Sequence, residues 1–138
     1  MAKRLCDQQG GKMNDHDEGL KTLTDMLGPE RAQSIEARFR ELSPAFEHEA
    51  VSVVFGRTWS REALDRKTRA LCSIGILSAL GRTNALRIVF ELAIANGASL
   101  DEIIEALLQV GIYAGYPAAL DAFVELEGVM EDLEGRKA

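Results

Sequence analysis

Apolar residues along this chain recur three and four positions apart, and glycine or proline falls between the runs. In the stretch 100–114, Ile103, Leu107 and Gly111 form one stripe, and Ile104, Leu108 and Ile112 form its neighbour. That is helical periodicity with a wide apolar face. Gly28, Gly56, Gly81, Gly97 and Gly115 follow such runs, where a left-handed C-terminal residue ends a helix. Pro29, Pro44 and Pro117 stand where the next helix starts, because a missing N–H costs nothing in the first turn. Ser43 suits an N-cap, and Ser99 with Glu102 fits a capping box. The pattern predicts helices over 15–27, 29–42, 44–55, 65–80, 84–95, 100–114 and 117–133. Residues 51–55 have strand propensity but no partner strand, so they are read as helix. Residues 70–80 are apolar on every side, which predicts a helix buried all round, with Gly75 allowing a second helix to come close, within the chain or at a subunit contact. Residues 1–13 read as a frayed leader, 14–134 as one helical domain, and the tail from Glu134 as frayed.

Composition narrows the class. With 138 residues, 46% hydrophobic and 28% charged, the chain has material for one core and an ordinary surface. The net charge of −6 argues against nucleic acid or an anionic membrane as partner, through repulsion from phosphate. Two cysteines, Cys6 and Cys72, build neither a disulfide framework nor a four-thiolate zinc site. The first 13 residues have no apolar signal region, and no run is long enough to span a bilayer. The expectation is a cytoplasmic protein without metal or cofactor. The wide stripe of 100–114 exceeds what a small monomer hides, which suggests a homo-oligomer.

Few residues carry candidate chemistry. His16, in the polar run Asn14 to Glu18, reads as the solvated start of a helix. His48 lies between Glu47 and Glu49 and is a candidate acid; its other reading is a surface position. Cys72 sits among leucine and isoleucine, a setting for a core thiol rather than a nucleophile. Arg57, Trp59 and Arg61 fall in a connection between helices. They suit a planar carboxylated ligand by pairing and stacking, or else a loop pinned by Trp59 with both arginines in water. Gln109 and Tyr113 are one turn apart and share a face, and Tyr116 follows Gly115. Either phenol suits donation to an enolate oxygen, and tight packing through Gly111 is the other use of this stretch.

The stretch from Phe55 to Arg69, FGRTWSREALDRKTR, and the stretch from Leu100 to Ala119, LDEIIEALLQVGIYAGYPAA, together resemble the two signatures of the carboxymuconolactone decarboxylase family. The resemblance implies an all-α helical bundle of the alkylhydroperoxidase D-like type, with about six to seven helices, and a homotrimer or homohexamer. It also implies that position 89, valine here, is where the decarboxylases carry a proton-transferring histidine. The peroxidase branch needs a glutamate, two cysteines and a histidine, and the matching positions hold Ala70, Arg82, Ala85 and Val89. No thiolate is there to attack a peroxide.

The expectation is therefore a divergent decarboxylase-like enzyme acting on a small carboxylated, lactone or enol-type substrate by decarboxylation, isomerisation or cyclisation. His48, Glu47 and Tyr113 are its candidate catalytic residues. Arg57, Trp59, Arg61, Val89, Gln109 and Tyr116 are its candidate substrate contacts. The alternative is a non-catalytic oligomeric small-molecule-binding protein on the same scaffold.

Overall fold

The computed structural model describes residues 13–137, and all the regular structure in that span is helical. Cys6 and the leader up to residue 12 lie outside the described residues. Contacts gather the chain into two compact units, one up to Arg61 and one from Glu62 onward.

The first unit holds α1 (Asp15–Leu27), α2 (Pro29–Leu42) and α3 (Pro44–Glu49), and α3 runs on into a π-helical segment, Ala50–Trp59. Local chemistry sets the helix ends. Asn14 accepts from the Asp17 N–H at 2.8 Å and starts α1. Gly28, at φ 85°, turns the chain into Pro29, and the Ser43 side chain caps α3. α1 packs on the π segment with almost no side chain between the two backbones. A methyl group on Gly19 would collide with the Val51 carbonyl, and one on Gly56 with the Asp15 carbonyl. Leu23, Met26, Ile35, Val51, Phe55 and Trp59 are buried in this unit. The predicted helix 44–55 thus ends later than expected, at Trp59, and winds differently from its seventh residue onward.

The second unit holds α4 (Arg66–Ala79), α5 (Thr83–Ala95), α6 (Leu100–Ala114) and α7 (Tyr116–Lys137). Asp65 caps α4 through the Thr68 N–H at 2.6 Å, and Ser99 and Glu102 form the expected capping box. Ile74, Leu86, Phe90, Leu92, Ile103 and Leu107 are among the side chains buried in this unit. Ion pairs tie α5 to α7: Arg87 reaches Glu125 at 2.9 Å and Asp132 at 2.7 Å, and Arg136 reaches Glu91 at 3.0 Å. The predicted tail from Glu134 is helical through Lys137.

Two expectations fail here. α4 is not buried all round: Ala70, Ile74 and Ser78, four residues apart, face inward, while Ile76 is 59% and Leu80 65% exposed. Cys72, expected in the core, is exposed. One stripe suffices for α4 to pack on its neighbours, and the apolar residues on its other sides stay out. Within the single chain, Gly75 has no close neighbour among the described residues, since an added methyl group would meet nothing within 4 Å.

Candidate functional site

The first unit carries an open cleft of about 460 Å³ between the start of α1 and the α3–π helix. α1 and its cap contribute Asn14, Asp15, His16 and Asp17; the other wall contributes His48, Glu49, Ser52 and Arg57. The winding of the second wall makes this grouping. Nine residues span about two and a half α-helical turns, so positions 48 and 57 of a regular helix would face opposite ways. Bonding from i to i+5 widens the turn. Position 52 follows His48 by one α-type turn, and Arg57 follows Ser52 by one π-type turn, so all three reach the cleft. The Ser60 N–H donating to the Phe55 carbonyl at 3.1 Å keeps this wider register to the end.

Charged and polar side chains meet across the cleft. His16 Nε2 lies 2.6 Å from Glu47 Oε1, and the Glu47 carboxylate is almost entirely buried. Arg40 stands 4.0 Å from that same oxygen. The His16 and His48 rings stack, with centroids 5.1 Å apart and planes 12° from parallel. The chain has only two histidines, and both are here. Arg57 Nε donates to Asp15 Oδ2 at 2.7 Å, and this bond together with the Asp15 charge raises the guanidinium above its usual range. Asn14 Nδ2 donates to Asp17 Oδ2 at 2.9 Å. The Ser52 hydroxyl is buried and has no hydrogen-bond partner among the described residues.

Several expected site residues take other places. Glu47 does not serve His48, its chain neighbour; its carboxylate goes to His16, 31 residues earlier. His16 is therefore not the solvated helix start that its polar surroundings suggested. Arg57 lies on the π segment rather than in a connection. Trp59 is buried beside Phe55, with ring centroids 6.4 Å apart, so its indole face is not offered to a ligand. Arg61 is exposed beyond the helix and does not line the cleft. In the second unit, Val89 is buried on α5 and Gln109 is exposed on α6. Tyr113 is 86% exposed, and the exposed Tyr116 lays its ring over Gly111, where an added methyl group would come within 2.9 Å of it.

Sequence reasoning missed His16 and Ser52. A signal existed for each: His16 is one turn before Gly19, the glycine that marks the contact face of α1, and Ser52 is one turn after His48. Among the described residues, no group of three or more histidine, cysteine, aspartate or glutamate side chains is arranged to hold a metal ion. No described helix is long and apolar enough to cross a membrane.

The sequence model of the carboxymuconolactone decarboxylase family matches residues 44–127. The chain is 34% identical over 124 residues to 4-carboxymuconolactone decarboxylase of Acinetobacter baylyi, covering 88% of this chain and 92% of that protein. It is 28% identical over 117 residues to nitrosuccinic acid decarboxylase of Metarhizium robertsii, covering 85% and 82%. It is also 36% identical over 80 residues to an uncharacterised 15.0 kDa protein of Paracoccus denitrificans, covering 56% and 60%.

Proposed function

Because the chain belongs to the carboxymuconolactone decarboxylase family, we propose that it is a carboxy-lyase acting on a small acid in the cleft of the first unit. The named substrates of its two decarboxylase relatives share a chemical feature. Each bears a carboxylate together with an electron acceptor, a lactone in one and a nitro group in the other. Loss of carbon dioxide from such an acid breaks one C–C bond. The electron pair stays on the substrate and spreads onto the acceptor oxygen, and a proton must then be delivered to carbon.

The cleft supplies groups for these tasks. Arg57 takes the substrate carboxylate in exchange for Asp15, which is exposed and free to yield. His48, on the same wall, gives its proton to carbon as the imidazolium and is recharged from water, since it is exposed. Glu47 orients His16, and the His16 ring backs that of His48. The observation that carries this reading is the meeting of both histidines with Arg57 at one cleft, in a chain whose family resemblance puts Val89 where a histidine is expected.

The test is carbon dioxide release from 4-carboxymuconolactone and from nitrosuccinate by the purified chain. Turnover of at least one acid is expected, with loss in the His48→Gln variant. Release from neither acid overturns the reading. Val89 favours one second reading, a non-catalytic protein that holds such an acid, and binding without turnover is its signature.

We also infer self-association into a homotrimer or homohexamer, as the family resemblance implies. Ile76, Leu80, Ile112 and Leu120 of the second unit are each more than half exposed in the single chain, which supports it. Light scattering that returns a monomer mass overturns this.

A further inference from the structure

We propose that Ser52 is a substrate-binding residue of the cleft, whose hydroxyl donates a hydrogen bond to the acceptor oxygen of a bound acid. The inference rests on the carboxy-lyase reading for the identity of the ligand, and on geometry for the site itself.

A buried hydroxyl without a partner is costly, by roughly 1–3 kcal/mol in proteins generally. A helical serine ordinarily avoids that cost by bonding back to the carbonyl four residues earlier. Ser52 makes no such bond, although Ser73 of α4 does, to the Arg69 carbonyl at 2.9 Å. Ser78 shares the missing partner but does not line the cleft. Ser52 alone combines an orphan hydroxyl with a place in the cleft wall, between His48 one turn before it and Arg57 one turn after it.

A bound acid completes this arrangement. With its carboxylate on Arg57 and its reacting carbon toward His48, the ligand places oxygen acceptors along the face on which Ser52 sits. The hydroxyl rotates freely about its C–O bond, so it can donate to the oxygen that gains charge as carbon dioxide leaves. In the structure no carboxylate takes it: Asp15 is bonded to Arg57 and Asp17 to Asn14, and the hydroxyl is left without a partner among the described residues.

The two-histidine composition makes the test direct. The proton spectrum contains only two imidazole Cε1–H signals, and both report this cleft. The wild-type chain and Ser52→Ala are titrated with 4-carboxymuconolactone and, separately, nitrosuccinate, alongside carbon dioxide release and thermal unfolding. In the wild type, at least one acid is expected to shift both signals. In Ser52→Ala its affinity and kcat/KM fall roughly tenfold or more, as expected for a lost bond to a charged oxygen, while Tm holds or rises.

Equal affinity and turnover in the variant overturn the inference. So does a lower Tm, which would make the hydroxyl a structural group, and so does the absence of any shift in the wild type. The two readings fail separately. Turnover without imidazole shifts sinks the Ser52 site and leaves a carboxy-lyase. Shifts that weaken in Ser52→Ala without turnover keep the site and sink the carboxy-lyase.

Discussion

The two units use their polar residues in opposite ways. In the second, charged side chains are matched into ion pairs that tie one helix to another, as Arg87 does with Glu125 and Asp132, and as Arg136 does with Glu91. In the first, two imidazoles, a buried carboxylate, a guanidinium and an unpartnered hydroxyl gather around one open cleft. The second unit uses charge to fix geometry. The first turns its polar groups toward a space and leaves one hydroxyl there without a partner, which is what chemistry on a small ligand needs.

The comparison breaks most visibly at His48. Replacing it with glutamine should lower carbon dioxide release by about 10²–10⁴-fold, the usual worth of a general acid, with thermal stability kept because the ring is exposed. Phe90→Ala is the counterpart in the second unit. Phe90 is fully buried, so denaturant unfolding should show a loss of about 3–5 kcal/mol, while the two imidazole signals of the folded chain stay in place.

A smaller effect probes the guanidinium. Replacing Arg57, which is exposed on the π segment, with glutamine should remove the partner of the substrate carboxylate and leave the winding in place. KM should then rise roughly tenfold or more in the carbon dioxide assay, the worth of a bond to a charged group. An unchanged KM would show that Arg57 does not hold the substrate. Tyr113→Phe sharpens the contrast from the other side. With its ring exposed on α6, its removal should leave kcat and KM within about twofold, less than the worth of one hydrogen bond.

The smallest effect is one of pH. Hydrogen bonding to Thr68 lowers the Asp65 carboxyl below its usual range, and bonding to the Ser99 N–H, then to Lys67, lowers that of Glu102. A carboxyl depressed by folding stabilises the folded state above its unfolded pKa, and that contribution is lost as pH falls through the folded one. Thermal melts should therefore show Asp65→Asn and Glu102→Gln slightly less stable than the wild type at neutral pH. The gap should close on acidification through the carboxyl range.

Much of the helical frame was legible because its signals are local. Gly28 with Pro29, Ser43 with Pro44, and Ser99 with Glu102 each act within a turn of the chain, and the bounds of α1, α2 and α6 follow from them directly. Exposure was less legible. The apolar run through Cys72, Ile76 and Leu80 says that the helix is hydrophobic, not how much of it the neighbours cover. The site was legible only in pieces. His48, Glu47 and Arg57 stand out by residue type, but the winding that aligns two of them is a matter of hydrogen-bond register. Glu47 finds His16 across 31 residues, a pairing that no local window contains.

The two bare-backbone contacts between α1 and the π segment bear on which molecules the cleft admits. Gly56 abuts the Asp15 carbonyl, beside the very pair, Asp15 and Arg57, that spans the opening. The gap is thus set by main chain resting on main chain, which yields far less than interlocked side chains do. A single methyl group at Gly19 or Gly56 would have to push these backbones apart, and the spacing of the cleft walls would shift with them.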